Sequence, residues 1–586
     1  MNEKNRFCQL YTPEGEALLK KEAEFVPWNT YPRPHLRRDS FFCLNGWWEF
    51  AVSDTGELPD EMNGRIRVPF VPESALSGIG RTVPKGATLC YRRTFSAPER
   101  KNTDRVLLHF GAVDQIAAVS LNGTLLGEHR GGYSGFFFDI TEHLTEQNTL
   151  TVLVRDELET KILPYGKQCE KRGGMWYTPI SGIWQTVWLE CVPNTYVAEL
   201  TVTTERNAAT VSLRTQGEEI TEGEAILHLP EGDKRFAVRD GSVKFEVEAP
   251  ILWSPEYPHL YEFTLTVGED TVHSYFALRT LETKTVNGKP RLCLNGEPYF
   301  FHGLLDQGYY SDGIFLPASA EGYERDILAA KSMGFSMLRK HIKVEPEQFY
   351  YDCDRLGMVV FQDMVNNSDY SFLRDTALPT VGQKRRDDRR LHRDRATREA
   401  FLLAMEETVT RLGFHPSVCY WTIFNEGWGQ FDHAAAYERL RTLDATRWID
   451  SVSGWFLPPK GEAVSDVDST HVYFKPVRFS LGKRPAVLSE FGGYAHGVAE
   501  HIFNPDKSYG YRTYADREAL GNALEALYRE QVIPAAKEGL SASVYTQLTD
   551  VEDEINGLLT YDRKVEKVDR ERMIALADAL REAVKE

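Results

Sequence analysis

Basic residues are in deficit in this chain. Its 586 residues carry 68 Lys and Arg against 86 Asp and Glu, a formal net charge of −18. That balance argues against partners that select for basic patches, namely nucleic acid and anionic membrane surfaces. Long apolar runs are also missing, and nothing approaches the roughly 20 residues that a membrane span needs. The opening stretch MNEKNRFCQLYTPEGE has no apolar h-region, so it does not read as a signal peptide and the expected address is cytoplasmic. Cysteine is sparse: Cys8, Cys43, Cys90, Cys169, Cys191, Cys293, Cys353 and Cys419 are scattered, with no CxxC pair and no metal-ligand spacing. Reduced, mostly buried thiols are expected at that address. No phosphate loop, dinucleotide fingerprint, internal repeat or low-complexity tract is present.

What is present is a pair of glutamates, each closing a short apolar run. VCYWTIFNEGWGQ (418–430) carries Glu426 and PAVLSEFGGY (485–494) carries Glu490. Both runs have the β-branched and aromatic content of buried parallel strands, followed by an acid and glycine. The carboxyl end of a strand is where a β/α barrel places its reacting groups, and two carboxylates delivered there suit the acid and nucleophile of glycoside hydrolysis.

The length predicts three or four domains. Residues 1–192 read as all-β, with alternating runs RVLLHFG, AAVSLNG and TLTVLVRD and a hairpin signal at Asn122-Gly123, the pattern of a jelly-roll β-sandwich. Residues 193–282 give six or seven more strands at immunoglobulin-like spacing. From 283 to 586 the period changes to alternating strands and helices, as in a (β/α)8 TIM barrel. Its eight predicted strands cover 298–304, 335–341, 358–363, 418–426, 448–454, 468–474, 486–492 and 541–547. The run QKRRDDRRLHRDR (383–395) reads as a solvated mixed-charge loop or helix start.

A jelly roll, an immunoglobulin-like sandwich and a barrel, in that order, resemble glycoside hydrolase family 2, which includes β-galactosidases, β-glucuronidases and β-mannosidases. LNGWWEF, VPFVPES, VSLNGTLLGEHRGGYSGFFFDIT, SGIWQTVWLE and LCLNGEPYFFHGL look like the family's recurring strings. Asn425-Glu426 and SEFGG with Glu490 match its acid/base and nucleophile motifs, on strands four and seven of the predicted barrel. The resemblance implies an exo-acting retaining β-glycosidase with Glu490 as nucleophile and Glu426 as acid/base. The pKa of Glu426 should then be raised by apolar walls and by the like charge of Glu490.

Further roles follow from the resemblance for Asn425, Arg339 and His471, and from position near strand ends for the others. Asn425 is expected to bond the sugar 2-hydroxyl, Arg339 to hold the nucleophile ionised, and His341, His471 and Tyr473 to reach the sugar. Asp306 and Asp363 are candidate hydroxyl or hydrogen-bond partners, and Trp428 and Tyr509 candidate stacking surfaces. Tyr545 stands where many members have a Trp platform. No cofactor is implied, although a Mg²⁺ or Na⁺ ion near the site is compatible with the family. The β-glucuronidase subgroup's Asn-x-Lys element is replaced by DVEDEINGLLTYDRK, with Asp550, Glu552, Asp553 and Glu554. Those acids point to a neutral sugar, a β-galactoside first, with glucuronide, galacturonide, galactofuranoside and arabinofuranoside as alternatives. A carbohydrate-binding protein without turnover is the reading from another class. The presence of both carboxylates and Arg339 speaks against it. Homo-oligomerisation through the sandwiches is compatible with either.

Overall fold

A computed structural model describes residues 7–22, 24–101, 104–378, 387–454, 461–479 and 481–586. Residues 383–386 of the mixed-charge run lie outside the described residues. Near its end Asp394 accepts from Thr397 N at 2.8 Å and caps the helix Arg395–Leu412, which the last residue of the run begins.

The first sandwich faces a four-stranded sheet against a six-stranded one. Alternation decides what goes inside: in Gln147–Arg155 every second side chain is buried. Trp48, Phe50, Leu108, Val119, Val152 and Leu189 meet between the sheets. The Asn122-Gly123 hairpin forms between Ile116–Leu121 and Thr124–Arg130, with Leu121 opposite Thr124. Both turn residues take positive φ, 52° and 82°, as a two-residue turn of this hand requires. The second sandwich has seven strands between Tyr196 and Phe276, three in one sheet and four in the other. They enclose Val211, Phe245, Phe263 and Phe276.

A short antiparallel sheet, Leu281–Val286, Lys289–Leu294 and Glu297–Pro298, precedes the barrel. Pro298 pairs there with Cys293, so the first barrel strand starts later than the sequence pattern predicts. The barrel strands are β1 (Phe301–Asp306), β2 (Met337–Lys340), β3 (Val359–Asp363), β4 (Val418–Asn425), β5 (Trp448–Ser453), β6 (Asp468–Val472), β7 (Ala486–Gly492) and β8 (Leu540–Thr546). They lie in the order 5-4-3-2-1-8-7-6, all parallel. Between β5 and β6 the ring is joined by Gly454 N donating to Ser469 Oγ, 3.1 Å. Leu292 and Leu294 of the short sheet pack with Phe301, Met337 and Val544 inside the barrel, so the amino end is filled and the carboxyl end is left for polar groups. Among the described residues no helix is long and apolar enough to cross a membrane.

One loop of the first sandwich reaches over the carboxyl end of the barrel. Tyr165 N and Gly166 N both donate to Asn366 O, at 3.1 and 3.3 Å. Tyr165 Oη donates to Ser368 O at 2.7 Å. Arg172 pairs with Glu552 and Asp553, beyond β8, at 3.1 and 3.0 Å.

Candidate active site

Arg339 is the centre of the polar cluster. Strand alternation turns it into the barrel, where it is 1% exposed. Its Nε donates to Asp363 Oδ1 at 2.9 Å. One terminal nitrogen donates to Ser489 O at 2.9 Å and to Glu490 Oε1 at 3.1 Å. The other donates to Asn425 Oδ1 at 2.9 Å. The planar fork thus ties β2, β3, β4 and β7 together, which a lysine could not do.

Glu490 is held from both sides. Tyr473 Oη donates to its Oε2 at 2.7 Å and lies 2.8 Å from Thr546 Oγ1. Burial alone would push the Glu490 carboxyl up. His471 and Arg339, with His341 once acid protonates it and with the Tyr473 hydroxyl, outweigh burial and hold it at about 2. Asp363 is likewise pushed up by burial and brought down, to about 2, by Arg339 and His341.

Glu426 follows β4 in the left-handed region, φ 50°. That costs a residue with a Cβ about 1–2 kcal/mol and turns its carboxyl off the strand line. Its N–H donates to Ser453 O on β5 at 3.1 Å. His471 stands between the two glutamates. Its Nδ1 is 2.8 Å from Glu426 Oε1, and its Nε2 is 3.6 Å from Glu490 Oε1 and 3.3 Å from Ser453 Oγ. Ligand-type atoms of Glu426, His471 and Glu490 all fall within 4.8 Å of one another.

Asn425 has its oxygen occupied by Arg339, so the group it offers the pocket is the amide nitrogen, a donor. His341 Nδ1 meets Asp363 Oδ2 at 2.7 Å. Burial first, then the charge of Lys167, lowers its pKa to about 4, so this ring is neutral around pH 7.

Three expectations change, those for Asp306, Tyr545 and Trp428. Asp306 does not face the site: its Oδ2 accepts from Lys340 Nζ at 2.6 Å and its Oδ1 from Gly308 N at 2.9 Å. It belongs to an ion-pair network with Lys340, Lys343 and Glu345 behind the barrel wall, because its strand parity points it outward. Tyr545 is also misplaced by parity. Ala542 and Val544 point into the barrel, so Tyr545 points out. It packs on Phe491, and its Oη accepts from Tyr494 N at 3.1 Å. Thr546 takes the inward place beside Tyr473. Trp428 is 3% exposed and stacked on Trp176, with centroids 5.3 Å apart, so it is a buried wall rather than an open platform. Asp363, 1% exposed, takes the hydrogen-bond role expected of it and orients Arg339 and His341 from beneath.

Tyr509 lies beside the site, half-buried, 5.8 Å from Tyr511. Tyr511 stacks flat on Tyr473 at 4.0 Å; sequence reasoning passed it over. It also passed over Lys167, Trp176 and Tyr177, which arrive on the loop from the first sandwich. Their stretch, KQCEKRGGMWYTP, has no strand or helix period to place it. Lys167 and Tyr177 are buried here, and Tyr177 Oη bonds Glu554. The acids of the DVEDE segment are mostly engaged. Asp550 pairs with Lys567 at 2.6 Å, and Glu552 and Asp553 with Arg172.

A second group with metal-ligand geometry, His35, Glu347 and His415, lies away from the barrel mouth. There Glu347 already pairs with His35 at 2.8 Å and with Arg411 at 3.0 Å.

Three family models match the chain in order: the glycosyl hydrolase 2 galactose-binding domain-like model over residues 63–173, glycosyl hydrolases family 2 over 188–279, and the family 2 TIM barrel domain over 289–479. The chain belongs to glycoside hydrolase family 2. It is 26% identical over 295 residues to a β-galactosidase of Thermoanaerobacter pseudethanolicus, covering 47% of this chain and 39% of that protein. It is 24% identical over 427 residues to human β-glucuronidase, covering 66% and 62%. The chain thus spans well under half the length of several curated relatives it matches, and a larger share of others. Among solved structures, the β-D-glucuronidase of Dictyoglomus thermophilum aligns with a TM-score of 0.71 at 19% identity, over 94% of this chain and 98% of that one. A family 2 β-galacturonidase from Eisenbergiella tayi, bound to galacturonate, aligns at 0.67 and 17%, over 94% and 99%. At these identities the structures share the fold.

Proposed function

We propose that this family 2 chain is an exo-acting retaining β-glycosidase that hydrolyses a terminal β-linked sugar by double displacement. The observation that carries the reading is the closeness of Glu426 and Glu490 around one imidazole, with oxygens within 4.8 Å. Inverting enzymes hold their carboxyl groups roughly 6.5–9.5 Å apart to admit a water, and retaining ones about 5–5.5 Å.

Glu490 attacks the anomeric carbon. It is ionised at working pH because Arg339, His471 and the Tyr473 hydroxyl stabilise its charge. Glu426 gives a proton to the departing glycosidic oxygen, then takes one from the water that cleaves the glycosyl ester. Asn425 offers its amide nitrogen to the 2-hydroxyl, since Arg339 holds its oxygen. These steps need no cofactor.

Relatives named as β-galactosidases and as β-glucuronidases support the reaction and leave two sugar classes in view. β-Galactoside is the first neutral candidate, with galactofuranoside and arabinofuranoside behind it. The acidic segment that favoured a neutral sugar is largely turned onto Arg172 and Lys567, which removes most of that argument. A carbohydrate-binding protein without turnover is disfavoured by the intact cluster of Arg339, Glu426 and Glu490.

The test is the stereochemistry of the first product. Proton NMR of a β-glycoside digest should show the β-anomer first, followed by slow mutarotation. An α-anomer appearing first would overturn the retaining assignment.

A further inference from the structure

Among the described residues Lys167, at the mouth of the barrel, makes no ion pair and faces only aromatic rings. It comes from the first sandwich, yet only 7% of it is exposed. Its Nζ sits 5.6 Å from the centre of the Tyr177 ring and 5.8 Å from that of Trp428, two residues beyond Glu426. No carboxylate or carbonyl among the described residues takes a hydrogen bond from it. Its Nζ is not one of the fully enclosed atoms that lack a partner, so its donors open onto the pocket between two aromatic walls, which supply only part of what water gives. Burial lowers its pKa, while Glu554, Glu490 and Glu426 act in the other direction, so its charge is felt at both glutamates.

The loop that carries it is built to hold that place. Gly166 has φ +69°, and a Cβ there would lie 2.9 Å from Ile342 O. Only glycine lets the chain come this close to the barrel. Tyr177 N donates to Lys167 O at 3.0 Å. The next residue, Gln168, is fixed at both ends of its amide: Nε2 donates to Asp114 at 2.9 Å and Oε1 accepts from Ile180 N at 2.8 Å. Arg172 takes Glu552 and Asp553 out of the pocket. Glu554 is the acid that stays near; it accepts from Tyr177 Oη and makes no ion pair with Lys167.

We infer that Lys167 binds the carboxylate of a uronic acid in the sugar pocket, so that the preferred substrate is a terminal β-linked uronide. The inference rests on the glycosidase reading for where the sugar lies, and it reverses the neutral sugar expected from the sequence of the DVEDE segment. It places the cation on the opposite side of the chain's order from that segment, on a different domain. A carboxylate there completes the ammonium's hydrogen bonds and gains a charge-assisted contact. A neutral hydroxymethyl group supplies one weaker acceptor.

The test is calorimetric titration of the full chain with free glucuronate, galacturonate, glucose and galactose, beside hydrolysis of the four matching nitrophenyl β-glycosides. One uronate should bind the wild type more tightly than its neutral counterpart. Lys167→Met, which keeps the stem and removes the charge, should weaken that uronate roughly 30-fold or more and leave the neutral sugar within a few-fold. Lys167→Arg should retain part of the preference. A neutral sugar bound as tightly as its uronate by the wild type, a comparison that needs no variant to fold, would overturn the inference. So would a uronate preference that survives Lys167→Met. Uronate binding without turnover of any glycoside would sink the glycosidase reading and keep the lysine assignment; binding of no sugar would sink both.

Discussion

The two halves of the site are built by different means. The strand-end half consists of Arg339, Asp363, Asn425, Glu490 and Thr546, carried by five barrel strands, with Tyr473 just beyond β6. Its partners are tied to one another. Arg339 alone makes bonds to Asp363, Ser489, Glu490 and Asn425. The loop half consists of Lys167, Trp176, Tyr177, Tyr509 and Tyr511. It is largely aromatic, and its one lysine makes no ion pair among the described residues. A saturated network fixes geometry and charge state, as a reacting centre needs. An unsaturated wall leaves groups for a ligand to satisfy, as recognition needs. Chemistry and selectivity are therefore expected to respond to different substitutions.

The largest effect should come from the first half. Glu490→Gln removes the proposed nucleophile, and kcat should fall at least about 10⁴-fold in a protein that still folds. A variant with a tenth of wild-type turnover would break the division of labour at its root.

Glu426→Gln should split by leaving group. Substrates that need protonation should slow about 10²–10⁴-fold. Dinitrophenyl glycosides should keep a fast first step while deglycosylation becomes limiting, and azide should restore turnover. Equal losses for both substrate types would place the acid elsewhere.

Arg339→Gln tests whether the network sets the charge state. It leaves Glu490 and Asp363 buried with a major cation gone, and breaking such a pair costs roughly 3–5 kcal/mol, readable by urea unfolding. The pH effect has a definite sign. Burial pushes Glu490 up and Arg339 helps hold it at about 2, so the variant's acidic limb in kcat/KM should move to higher pH. In the wild type the folded pKa lies below the unfolded one. Its contribution to stability is therefore complete above the ordinary glutamate range and is lost as pH falls toward 2. An unmoved acidic limb would show that Arg339 is only a strut.

The smallest effect belongs to the loop half. Arg172→Ala frees the sandwich loop from Glu552 and Asp553, and KM should rise about ten-fold with kcat nearly unchanged. A fall in kcat instead would mean that the loop also sets the geometry of Glu426.

The same contrast explains what could be read in advance. The strand-end half was legible because buried parallel strands announce themselves as apolar runs, and a polar residue closing such a run has few places to go. Glu426, Glu490 and Arg339 are of that kind. The errors there were of parity, since a side-chain period of two sends Asp306 and Tyr545 outward once the phase slips by one. The loop half carries no period. Lys167 lies between a glycine in the left-handed region and a turn-rich stretch, and its approach to the barrel depends on Asn366, Ser368, Glu552 and Asp553, all distant in sequence. The acids of DVEDE were visible, but their partner Arg172 was not, so their charge was assigned to the wrong neighbour.

The most direct test of the central claim is covalent trapping. Incubating the enzyme with an activated 2-deoxy-2-fluoro β-glycoside of the preferred sugar, then digesting it and sequencing the labelled peptide by mass spectrometry, should place the fluoroglycosyl ester on Glu490, with none formed by Glu490→Gln. A label on Glu426 or on any other residue would contradict the account.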